Sequence, residues 1–105
     1  MRRGTHLAYA TEGANAWTSE TVDASPSVGT FCSLAIDSKG NPLICYRDDM
    51  NGTMKCATKP AGTWVTSVVA SGGDAGEGID VVFDTQDLPH VVYFDGTTGN
   101  WMYLH

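Results

Sequence analysis

The chain has 105 residues, 42% hydrophobic and 17% charged, with a formal net charge of −6. This composition suits a single domain with a modest core and argues against disorder. Six Lys and Arg against twelve Asp and Glu leave no basic surface for a phosphate backbone, which makes nucleic acid a poor partner. The first residues carry Arg2 and Arg3 but no long apolar run, so they read as neither signal peptide nor membrane span. The expected location is the cytoplasm, or outside the cell after removal of an export signal, with no membrane partner.

In chain order, THLAYAT (Thr5 to Thr11) and WTSETV (Trp17 to Val22) read as two strands. CSLAID (Cys32 to Asp37) follows, then the turn SKGN and PLICYRD (Pro42 to Asp48). After DMNG come TMKCAT (Thr53 to Thr58), the turn KPAG and TWVTSVV (Thr63 to Val69). The last three runs are IDVVFD, PHVVYFD and GNWMYLH, ending at His105. Leu43, Ile44, Cys45 and Tyr46 are consecutive and apolar, so their strand is expected to be covered on both faces, whereas the Thr- and Ser-rich run from Thr63 suits a sheet edge.

Shifted by 47 residues, the sequence aligns with itself without a gap: Trp17 falls on Trp64, Asp37 on Asp84, Pro42 on Pro89, Tyr46 on Tyr93, Asp48 on Asp95 and Gly52 on Gly99. Four strands per repeat, buried on both faces, predict all-β β-propeller blades, with a β-sandwich as the alternative. The single domain divides into a partial blade over 1–23, a complete blade over 28–70 and a partial blade over 77–105, about two and a quarter blades in all. That number cannot close a ring, so the chain is expected to be a homo-oligomer, a trimer in preference to a dimer, unless it is a structural fragment of a larger propeller. Three cysteines at spacings of 13 and 11 argue against a disulfide framework or zinc site and favour reduced, buried thiols.

The run SLAIDSKGNPLICYRD followed by GTMKCATKPAGTWVTSVV resembles the repeats of bacterial sialidase-like propeller proteins, and the architecture resembles small propeller-forming lectins. Ser38-Lys39-Gly40-Asn41 lacks the Asp and the Thr-Trp of the sialidase Asp-box, so the resemblance implies a blade and not that activity.

The expected function is therefore a non-enzymatic module that binds carbohydrate or protein through loops on one face, with a sialidase-like glycosidase as the alternative. Those loops run from Ala24 to Phe31, Arg47 to Gly52, Ser71 to Gly78 and Phe94 to Gly99. They supply the candidate ligand-binding residues Arg47, Asp48, Asp49, Asp74, Glu77 and Asp95, to which Trp101 adds an aromatic surface. Arg47 has no repeat equivalent, and its guanidinium suits a carboxylate or sugar acid. Asp37 and Asp84 precede tight turns and are read as turn-forming. His6, His90 and His105 show no metal-ligand spacing, and neither cofactor nor metal is expected.

Overall fold

The computed structural model of the chain is all-β and describes residues 7–12, 16–24, 28–60, 62–71 and 75–104. Among these, nine strands form three antiparallel sheets. The first pairs β1 (Leu7–Glu12) with β2 (Trp17–Asp23). The second runs β3 (Val28–Ile36), β4 (Pro42–Asp48), β5 (Thr53–Thr58) and β6 (Val65–Ala70) in chain order. The third runs β7 (Ala75–Phe83), β8 (Pro89–Asp95) and β9 (Asn100–Leu104).

Short turns built around aspartates set the register, and they recur with the 47-residue period. The Asp37 carboxylate accepts the backbone N–H groups of Lys39 and Asn41 at 2.9 and 2.8 Å, and Asp84 does the same for Gln86 and Leu88 at 2.8 and 3.0 Å. Gly40 takes a positive φ of 85° in the first turn; Asp87, at 60°, replaces it in the second. A short carboxylate tolerates that region better than most side chains. The Asp87 carboxylate also accepts Ser38 N–H at 2.9 Å and Ser38 Oγ–H, which ties the two turns together.

β3 and β7 each have nine residues and start earlier than the sequence indicated, because both continue across an irregularity in pairing. The register shifts between Val28 and Cys32 against β4, and at the equivalent place, between Ala75 and Ile79, against β8. Part of each segment expected to be a loop is thus strand, and Glu77 lies within β7. Each irregularity sets a step of four residues in β3 or β7 against two in its partner, and alternation alone does not reveal it.

β4 is buried on both faces, as its unbroken apolar run implies. Ile44 and Tyr46 join Ala57, Val28, Leu7 and Val22 in a cluster facing β1 and β2. Leu43 and Cys45 join Met54, Ala75, Val81, Val91 and Tyr93 in a cluster facing the third sheet. The central sheet therefore lies between the other two. β7 approaches it closely at Gly76 (φ 93°), where a Cβ would stand 3.3 Å from Met54 Cβ and Cγ. β6 is a largely exposed edge.

The cysteines require a correction. Cys45 and Cys56 face each other across β4 and β5 and are joined by a disulfide with a Cα separation of 4.1 Å; Cys32 is free and exposed. The odd count concealed the pair, but the hairpin register that places Asp48 opposite Thr53 also places Cys45 opposite Cys56. Thiol titration of the unfolded protein is expected to find one reactive thiol before reduction and three after. Replacing both paired cysteines with Ala should lower the unfolding free energy by about 3 kcal/mol in urea titrations, from the loop-entropy cost for this spacing.

Candidate functional site

The end of the molecule formed by the β4–β5 turn holds Arg47, Asp48 and Asp49, each tied to the protein. Arg47 Nε donates to Asp49 Oδ1 at 2.7 Å, and its Nη1 donates to the Ala75 carbonyl at 2.9 Å, linking the central sheet to β7. Asp48 is buried and accepts from Met50 N–H, Asn51 N–H and Asn51 Nδ2–H. In the equivalent turn of the third sheet, Asp95 accepts from Thr97 N–H at 2.9 Å. Glu77 is half-buried in β7, and Trp101 lies on the outer face of β9, 66% exposed and edge-on to Phe94. Asp74, His6 and His105 lie outside the described residues. Arg47, Asp48 and Asp49 thus form one group, while Asp95 and Trp101 belong to the neighbouring sheet.

At the opposite end, a groove of about 370 Å³ opens beside the β5–β6 turn, lined in part by Glu20, Thr21, Lys59, Thr63 and Trp64. Glu20 is carried by β2 opposite Tyr9, whereas Lys59 and Trp64 flank the turn. The Glu20 carboxylate accepts the Trp64 indole N–H at 2.5 Å and pairs with the Lys59 ammonium. Lys59 Nζ also stands 5.8 Å from the Trp64 ring centroid, and the Tyr9 ring meets Trp64 edge-on at 5.4 Å. Bonds from Lys59 and then Trp64 hold the Glu20 carboxyl below its usual range. On the other side of the same turn, a second cleft of about 380 Å³ is lined by Lys59, Asp37, Asn41, Leu43, Pro60 and Phe83.

This arrangement offers a fixed carboxylate, an ammonium and an indole, with Thr21 and Thr63 beside them, at one solvent-facing groove. Such groups suit a hydroxyl-rich ligand that both donates and accepts hydrogen bonds. Among the described residues, no group of three or more His, Cys, Asp and Glu side chains is placed to hold a metal ion. Nothing in the sequence singles out Glu20 or Lys59, and Trp64 stands out there only as the repeat of Trp17; in the structure it also packs against the Leu7, Ile44 and Tyr46 cluster. Glu20 and Trp64 are 44 residues apart and meet only because the first two sheets stack. No family model, curated protein or solved structure matches the chain.

A second polar contact lies deeper between the same sheets: Tyr46 O–H donates to Asp23 Oδ2 at 2.6 Å, and Lys55 Nζ pairs with that oxygen at 2.7 Å. Burial and the Asp23 charge push the Tyr46 phenol well above its usual range, so it remains a donor.

Glu20, with its lowered carboxyl pKa, contributes stability that is present above its unfolded pKa of about 4.3 and lost as pH falls through the folded value. The melting temperature of Glu20→Gln should therefore lie below that of the unsubstituted protein at pH 7, and the difference should shrink as the carboxylate is protonated on acidification in thermal melts.

Proposed function

We propose that the chain is a non-enzymatic carbohydrate-binding module built from β-propeller blades. The fold part of this reading is supported by how the sheets converge. β3 and β7 lie together, whereas β5–β6 and β8–β9 are separated by an apolar wedge of about 310 Å³ that includes Cys56, Val65, Val69 and Leu104. Strands that meet at one edge and splay at the other suit blades around an axis better than the near-uniform spacing of a sandwich. Repetition of turns and bulges every 47 residues supports the same reading.

The observation that carries the function is the groove at Glu20, Lys59 and Trp64. Its polar atoms are preorganised by mutual bonds, so a sugar hydroxyl group meets a carboxylate and an ammonium whose positions are already set. In this reading Arg47 and the turn aspartates hold the sheets and turns in register. The Cys45–Cys56 disulfide suits an oxidising compartment and hence an exported protein.

The test is binding to a glycan array, followed by calorimetric titration of the best ligand. Glu20→Gln, nearly isosteric, should weaken binding about 10- to 100-fold, the loss expected for a charge-assisted hydrogen bond. The Trp64 indole N–H resonance should shift on titration. Absence of any glycan ligand, or full affinity in Glu20→Gln, would sink the proposal. Turnover of fluorogenic glycosides would replace it with the hydrolase reading.

A further inference from the structure

The 47-residue repeat gives every interior contact between the central and third sheets an equivalent position elsewhere in the chain. Some of those equivalents are uncovered. Val81 is 3% exposed where β7 packs on the central sheet, but its counterpart Leu34 on β3 is 49% exposed. Phe83 is packed against the same core, but its counterpart Ile36 is 46% exposed. On the opposing side of that contact, Cys45 is fully buried and Ala35 is packed against the core; their counterparts on β8 and β7, Val92 and Val82, are 39% and 55% exposed.

The molecule thus displays both halves of one contact, made once within the chain and left open twice. β1 and β2 cover the central-sheet face at Ile44, Tyr46 and Ala57 but leave Leu34 and Ile36 of β3 bare. Val82 and Val92 form a matching bare patch on the outer face of the third sheet. The chain itself shows what fits such a patch: a β3-type strand meeting a β7–β8-type face.

We propose that the outer face of β7–β8 in one copy docks on the exposed β3 face of a second copy, repeating the contact between the central and third sheets. The two patches differ, so the contact is heterologous, runs head to tail and closes into a ring if the rotation permits. β7 and β8 then stand beside the second copy's β1 and β2 as the inner strands of a shared four-stranded unit. Asp80 takes the place held within the chain by Ser33, whose Oγ accepts Val81 N–H at 3.2 Å. β9 and the second copy's β1 are copies of one strand, so one stays in the shared sheet and the other lies at its rim. The contact does not involve the Glu20 groove and stands or falls independently of the ligand.

Light scattering and native mass measurement of the full chain at about 100 μM, where even modest affinity populates a complex, should give a multiple of 11.2 kDa. Val82→Lys and Leu34→Glu each disable one patch on an exposed strand position and should each run at 11.2 kDa with an unchanged circular dichroism spectrum. Mixed in equal amounts, they should form a 1:1 dimer, because each keeps the patch that the other lacks. Cys32, on the β3 face with Leu34, should react more slowly with a thiol reagent in the assembled protein than in the Val82→Lys monomer. A monomeric unsubstituted protein, assembly that survives either substitution, or a mixture that remains monomeric would overturn the proposal.

Discussion

The structure depends on a strand that no surface can accommodate. Leu43, Ile44, Cys45 and Tyr46 follow one another along β4, and alternation sends them to opposite faces, so water has to be excluded from both. Full burial of a large apolar side chain contributes about 1.5–3 kcal/mol, which a single sheet with one wet face would forfeit for half of them. The first and third sheets each cover one face, and this stacking sets the remaining architecture.

The two contacts made by the central sheet solve the same packing problem with different chemistry. Against the first sheet, Tyr46, Asp23 and Lys55 form a polar cluster within an otherwise apolar contact. A buried carboxylate is costly unless paired, and here the phenol and the ammonium share one of its oxygens. Against the third sheet, the equivalents of these three residues are Tyr93, Ala70 and Met102, and at this point the contact is apolar, with Cys45 of the Cys45–Cys56 disulfide among its buried residues. Repetition therefore preserves backbone geometry and side-chain direction, while the sequence is free to vary the polar links between sheets.

The same distinction separates the turn-forming carboxylates from the one at the groove. Asp37, Asp84, Asp48 and Asp95 accept backbone N–H groups in their own turns, and three of them do so from two such groups, which accounts for their recurrence in both repeats. Glu20 has no acidic equivalent, since Ser67 occupies its repeat position. Its partners come from a different sheet, and its oxygens border an open groove. A carboxylate outside the repeat, held by side chains and facing solvent, has no evident role in forming a turn.

Much of the architecture was legible in local pattern. The alternation in β3 and β7, the Asp-led turns, the double burial of β4, the exposed edge at β6 and the grouping of the strands all follow from side-chain period and turn chemistry, which act over a few residues. The irregularities after Val28 and Ala75 were not legible, because extra residues in one strand are defined by its partner strand. The disulfide was hidden by an odd cysteine count although the hairpin register contained it. The meeting of Glu20 with Lys59 and Trp64 was decided only by the stacking of separate sheets, since side chains about 40 residues apart carry no local signal of contact. The sequence by itself determined which strands lie side by side within a sheet; tertiary structure decided which groups meet between sheets, because that depends on the distance and angle at which apolar faces close upon each other.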